Sequence, residues 1–336
     1  MIAKPEILKQ HLFRYFPSLN AYQKKYLNIF FQNSDAVPEH IAYLCPICVS
    51  TGLAFLEEFY LDTNPEFTLD HFPPESVGGI ETIYVCKKCN NEAGLGFESS
   101  LKQKVQDISF NNKVSSAKRK IKTKISTIKG NYPGILLVRE DGAFAIDFKA
   151  SEKVHAPLLD QWIERSNGDY NWTAEVTYLV ADENKVSKAL LKAAFLFCFQ
   201  YWGYGFSYSH TADSIRKILN NEMQYPLRNP SFWLGKFAST VERIPLGLCF
   251  ILHPVELKCF CINMVLVDRQ TKHREIATVI IPGPNQEDWE DLIRIQTILD
   301  DEPTIPVTFA HVMGNSPAND IFDGYERSWE YLKSAR

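Results

Sequence analysis

The sequence predicts an α+β protein in which a small cysteine-tied module precedes a larger domain with antiparallel strands. Three observations predict it. Two Cys-x-x-Cys pairs, Cys45/Cys48 and Cys86/Cys89, are separated by 37 residues. Two apolar runs, 134–140 and 143–149, flank Asp141-Gly142, a strong hairpin signal. Further on, three strand-like runs at 246–252, 259–267 and 276–281 read as an antiparallel meander with Gln270-Thr-Lys-His273 at one turn. Strands and helices in such blocks indicate α+β rather than a parallel α/β sheet.

Composition bounds the reading. A chain of 336 residues exceeds what one core ordinarily supports, so two domains or a large one with a small attachment are expected. Apolar content of 45% and charged content of 23% are those of a soluble globular protein. The net charge of −4 gives no overall basic signature, so any nucleic-acid surface must be local. Beyond the two pairs, Cys198, Cys249, Cys259 and Cys261 lie in apolar segments where free cysteine acts as a small buried hydrophobe, which points to a reducing compartment. The start lacks the apolar core of a signal peptide. The longest apolar stretch, from Ala189 to Phe199, is broken by Lys192 and falls short of a membrane span. A cytoplasmic protein with no membrane partner is expected.

In chain order, residues 1–40 read as an N-terminal helical arm, with two helices over 5–33 split at Pro17-Ser18. The cysteine-tied module occupies 41–105, a basic connector 106–133, and a C-terminal α+β domain of unassigned role 134–336. Within that domain, helices are expected at 156–164, 184–201, 212–221 and 287–299, with a strand at 174–180. The aromatic run Tyr201-Trp-Gly-Tyr-Gly-Phe206 reads as core, with base stacking as the alternative. From Lys102 to Lys129 nine Lys or Arg residues face one acid, Asp107. Lys118, Arg119, Lys120, Lys122 and Lys124 are therefore candidate phosphate contacts, and a merely solvated face is the alternative. No P-loop, dinucleotide-binding glycine fingerprint or His-Glu-x-x-His is present.

Each short Cys-x-x-Cys turn presents two thiolates to one side of a tetrahedral ion, so Cys45, Cys48, Cys86 and Cys89 are expected to hold a structural Zn²⁺. Asp70-His71 stands between the pairs and Asn90 directly follows the second. The order Cys-x-x-Cys, Asp-His, Cys-x-x-Cys-Asn resembles the HNH endonucleases of ββα-metal fold, in the version tied by a four-cysteine zinc, and is similar to the motif order of phage endonuclease VII. The resemblance covers about 60 residues of the chain. It implies a strand delivering Asp-His, a second strand, and a helix returning Asn90 to the same site. It further implies Asp70 and Asn90 as ligands of a catalytic Mg²⁺ or Mn²⁺ and His71 as general base; Glu81, Asn91 and Glu98 are candidate supporting groups beside them. The chemistry suits these types: a hard divalent ion takes oxygen ligands and neutralises charge on the phosphate, while an imidazole of pKa about 6.5 accepts a proton near neutral pH.

Two departures stand beside the resemblance. The middle Asn of the HNH pattern has no counterpart in 79–86, leaving Glu81 or Thr82 to brace the base, and Ser100 stands near the position of the third His. The expectation is a metal-dependent DNA endonuclease, working alone or as a homodimer, by family habit in bacterial or phage defence, with a protein or signal partner for the C-terminal domain. The alternatives are a non-catalytic zinc module that binds nucleic acid or protein, and an RNA-directed nuclease.

Overall fold

A computed structural model of the chain describes residue 15 and residues 41–50, 52–56, 60–61, 67–125, 132–148, 157, 160–161, 164, 174–224, 231–233, 245–253, 255, 259–291, 308–311 and 324–334. The expected N-terminal helical arm lies outside them except for Tyr15, which is helical and buried. The helices expected at 156–164 and 287–299 are described only in part, at 157, 160–161 and 164 and at 286–291, and are helical there.

The chain is mixed α+β, with strand pairings that are antiparallel throughout the described residues. Strands β1 (Ile41–Leu44), β2 (Gly52–Leu56) and β3 (Tyr60–Leu61) form a small sheet around the first cysteine pair. A hairpin follows, β4 (Phe67–Phe72) with β5 (Ile80–Cys86). Its last residue, Cys86, caps helix α1 (Lys87–Ala93), which continues through a π-helical turn, Gly94–Glu98, into α2 (Ser99–Asn111). The turn into β5 depends on two glycines. Gly78 has φ 95°, and a Cβ on Gly79 would lie 1.4 Å from the carbonyl oxygen of Pro73.

The segment expected as a basic connector instead carries a strand. In β6 (Lys118–Ile125) Lys118, Lys120, Lys122 and Lys124 are exposed while Arg119, Ile121 and Thr123 are buried, which is the period-two pattern of a half-buried strand. It lies inside a four-stranded sheet ordered β8-β7-β6-β9, where β7 (Tyr132–Val138) and β8 (Phe144–Phe148) form the hairpin expected at Asp141-Gly142 and β9 is Ala174–Thr177. A small cluster of Phe110, Ala117 and Val138 packs beneath it.

Helix α3 (Glu183–Ser207) is the centre of the molecule. Asp182 caps its start through the amides of Asn184 and Lys185, and buried residues occur on all its faces from Val186 to Ser207. A helix apolar all round must lie between layers. On one side it meets β4, the π-helical turn and α2; on the other it meets α4 (His210–Leu219), α5 (Gly324–Ser334) and the five-stranded sheet. That sheet is ordered β10-β13-β12-β11-β14, with β10 at Ser231–Trp233, β11 at Gly247–His253, β12 at Cys259–Val267, β13 at Arg274–Ile281 and β14 at Thr308–His311. The expected meander is thus its centre. One hydrophobic cluster runs from Tyr43, Phe72 and Tyr84 through α3 to Phe260 and Trp329, so the boundary expected between the cysteine-tied module and the C-terminal domain does not divide the core. Trp202, Tyr204 and Phe206 are buried in it, as the core reading of that run expects. Among the described residues no helix is long and apolar enough to cross a membrane.

Because Gly79 has no room for a side chain, Gly79→Ala should lower the urea midpoint at unchanged slope, a loss of about 2 kcal/mol or more. A variant as stable as the wild type would show that the Pro73 carbonyl moves aside freely.

Candidate active site

The four cysteines come together as the knuckle spacing requires. Their sulfurs lie within 4.8 Å of one another, Cys48 and Cys86 at 3.9 Å, and none is in a disulfide. Tetrahedral zinc with Zn–S of about 2.3 Å separates sulfurs by roughly 3.8 Å, so the cluster could hold a zinc ion. Backbone amides already turn toward the sulfurs: Cys86 N donates to Cys45 Sγ at 3.4 Å and Cys89 N to Cys86 Sγ at 3.5 Å. The thiols perturb one another strongly. A hydrogen bond from Cys45 pulls Cys48 down and draws Cys86 to about 6, while Cys45 is pushed up by the same contacts. A divalent cation relieves that competition by letting every sulfur ionise.

Residues from the C-terminal half hold the first knuckle. Leu44 N donates to the Tyr204 hydroxyl at 2.8 Å, that hydroxyl donates to Leu44 O at 2.6 Å, and Arg216 Nε donates to Ile47 O at 2.6 Å. Tyr43 in turn donates to the Tyr84 carbonyl at 2.8 Å, tying β1 to β5.

Asp70 and His71 lie on β4 at a register irregularity, where Asp70 pairs with Ile83 and His71 with Glu81, leaving Thr82 as the extra residue. The His71 amide donates to Asp70 Oδ1 at 2.8 Å. Asn90, on α1, donates from Nδ2 to Thr68 Oγ1 at 2.9 Å. Thr68 and Asp70 are two residues apart on one strand, so this contact brings Asn90 to the Asp70 face of the hairpin. The chain order β4, β5, α1 thus carries Asp70, His71 and Asn90, with His71 one step along the strand and so on the opposite face of β4 from Asp70. Asn91 is exposed on α1. Of Glu81 only the strand position is described.

Sequence reasoning missed Lys192. Its Nζ, carried in by α3, lies 2.6 Å from Asp70 Oδ2 and 2.7 Å from Glu98 Oε1. The Lys192 and Asp70 side chains are 3% and 4% exposed and that of Glu98 is 16%. Burial works against the Lys192 charge, yet the two carboxylates outweigh it and hold the ammonium above the ordinary lysine range. Burial likewise raises the Glu98 carboxyl, against the pull of Lys192 and, more weakly, of His71. Asp70, His71, Glu98 and Lys192 thus form one electrostatic cluster. Its signal in the sequence was the charge interrupting an otherwise apolar helix, because a lysine buried there requires an acidic partner.

A divalent ion does not fit Asp70 in this arrangement. One carboxylate oxygen accepts the His71 amide and the other contacts the Lys192 ammonium, as does the carboxylate of Glu98. Among the described residues the four cysteines alone bring three or more Cys, His, Asp or Glu ligand atoms together. A cleft of about 500 Å³ is lined by Lys88, Glu92, Phe97, Lys185, Lys188 and Asn221, among others. Its lysines sit on α1 and α3, the elements that carry Asn90 and Lys192.

One expected phosphate contact is corrected. Arg119 is 6% exposed, paired with Asp107 at 2.9 Å and stacked between the rings of Phe110 and Tyr178, so it faces the sheet interior. Strand alternation turns it away from Lys118, Lys120, Lys122 and Lys124, which remain together on the outer face.

For the cysteine cluster the expected stoichiometry is one zinc per chain by elemental analysis. Cys86→Ser should release it and cost on the order of 3 kcal/mol or more of stability. A variant that retained a full zinc complement would remove Cys86 from the ligand set.

No protein-family model matches the chain, and no curated protein or solved structure matches it. The resemblance in the Cys-x-x-Cys, Asp-His and Cys-x-x-Cys-Asn motifs therefore stands on those motifs alone.

Proposed function

We propose that the chain is an HNH-type endonuclease, a phosphodiester hydrolase acting on DNA, with His71 as its general base. The observation that carries this reading is the hydrogen bond that ties Asn90 to the strand of Asp70 and His71, within a β-β-α unit beside a cysteine cluster that could hold zinc. In the proposed step His71 takes a proton from water as its oxygen bonds to phosphorus, the P–O3′ bond breaks, and the leaving oxygen takes a proton from solvent. Asp70 fixes the His71 backbone through the amide contact, and Asn90 braces β4 through Thr68. The expected Mg²⁺ or Mn²⁺ on Asp70 and Asn90 enters no step, because the Asp70 oxygens are already engaged.

The outer face of β6 supports a nucleic-acid substrate. Alternate residues of a strand are about 7 Å apart, so Lys118, Lys120, Lys122 and Lys124 form a row of roughly 20 Å, with Glu175 opposite Lys124 on β9 and Asp147 on β8 across Ile135 from Lys120. Phosphates neutralised by such a row release counterions. The lysines of the cleft, on the elements that carry Asn90 and Lys192, offer a second set of phosphate contacts.

A second reading, a zinc-containing module that binds nucleic acid without cutting it, is favoured by one observation, the burial of Asp70 beneath α3. Cleavage of plasmid DNA by wild type and His71→Ala, in Mg²⁺, Mn²⁺ and EDTA, separates the two. The nuclease reading expects nicked or linear product and a loss of about 100-fold or more in the variant. Silence on plasmid, single-stranded, branched and RNA substrates would leave the binding module. For the lysine row, replacing all four with Gln should weaken nucleic-acid binding and reduce the log–log salt slope by about 3. An unchanged slope would remove β6 from the interface.

A further inference from the structure

The Asp70, Lys192 and Glu98 cluster joins three separate elements, β4, α3 and the π-helical turn, through one ammonium. Lys192 is not a surface side chain that has drifted onto a nearby acid. Its neighbours in α3, Leu190, Leu191, Ala193 and Ala194, are buried in the main core, so the helix cannot swing the amine elsewhere without unpacking. Nor does the ammonium have water to retreat to, with the side chain 3% exposed. An ammonium displaced into an apolar core without partners is far costlier than one held by two carboxylates.

The same geometry works against a second cation. An ion on Asp70 Oδ2 and Glu98 Oε1 would have to displace the ammonium, and one on their other oxygens would stand beside a fixed positive charge in a site of low dielectric. What a divalent ion would do for these two acids, compensating their charge and fixing their orientation, the ammonium already does with up to three donors.

We propose that the Lys192 ammonium is the resident cation of this site, seated where Asp70 and Glu98 would otherwise hold a divalent ion, so that the chain binds no Mg²⁺ or Mn²⁺ there. Lys192 is a positioning residue, too deeply buried to touch substrate, and acts by holding Asp70 and Glu98 beside His71. The proposal deepens the hydrolase reading, in which cutting would then proceed in EDTA, but its test does not depend on activity.

The test is titration of the zinc-loaded full chain with Mn²⁺, read as loss of the free-ion electron paramagnetic resonance signal, for wild type, Asp70→Asn, Lys192→Met and the Lys192→Met/Asp70→Asn double variant. The wild type should show no Asp70-dependent site up to ~1 mM Mn²⁺, whereas Lys192→Met should gain one ion per chain, bound at least about tenfold more tightly and lost in the double variant. Mn²⁺ should also raise the melting midpoint of Lys192→Met but not that of the wild type. A wild-type site that disappears in Asp70→Asn would overturn the proposal, and so would a folded Lys192→Met that gains none. Should Lys192→Met fail to fold, the wild-type and Asp70→Asn titrations decide alone: an Asp70-dependent site overturns the proposal and its absence upholds it. Failure to cut any substrate would sink the hydrolase reading and leave the Mn²⁺ result standing.

Discussion

Helix α3 is largely buried from Val186 onward, and the one charge it carries into the interior, Lys192, has to be met there. It is met by Asp70 on the hairpin and Glu98 at the end of the π-helical turn, so the helix that organises the C-terminal half also fixes the arrangement of the proposed active site. Removing either partner of a buried ion pair leaves the other uncompensated, at a typical cost of about 3–5 kcal/mol. The pair therefore constrains folding as well as chemistry. The hairpin, the π-helical turn and α3 must reach their final places together for any of the three charges to be tolerated.

The cysteine cluster works to the same end from the opposite side. It joins the turn after β1 to the junction of β5 and α1, while Tyr204 and Arg216 hold the backbone of the first knuckle from the C-terminal half. A zinc module ordinarily replaces a core that a small domain cannot build. Here the core exists, running from Tyr43 through α3 to Trp329, and the cysteines lie at its edge. The cluster therefore serves geometry as well as stability: by fixing where α1 starts, it sets where Asn90 meets Thr68.

How far the sequence could be read follows from the range of each interaction. The knuckles, the Asp141-Gly142 hairpin, the meander and α3 are written in local spacing, and the structure bears them out within a few residues. Strand β6 is hard to read because the basic run 102–129 masks the alternation of Lys118, Lys120, Lys122 and Lys124 with Arg119, Ile121 and Thr123, which is the stronger signal. Arg119 was grouped with its neighbours for the same reason, although a one-residue step along a strand reverses the side chain. The partners of Lys192 lie about a hundred positions away in sequence, and no periodicity encodes a contact of that range. Only the misfit of a lysine in an apolar helix marked that a partner existed.

A buried ammonium and a divalent ion differ in what they can offer a phosphodiester. A metal with open positions binds phosphate oxygens and the leaving oxygen directly, whereas Lys192, sealed behind Asp70 and Glu98, reaches neither. If His71 acts as base in such a site, charge developing on phosphate has to be met by groups that remain exposed. Lys88 on α1 and Lys185 and Lys188 on α3 are lysines lining a cleft, on the helices that carry Asn90 and Lys192. Division of labour between an inner cation that positions and outer cations that bind would place the affinity of the proposed enzyme in salt-sensitive surface contacts and the orientation of its base in salt-insensitive buried ones.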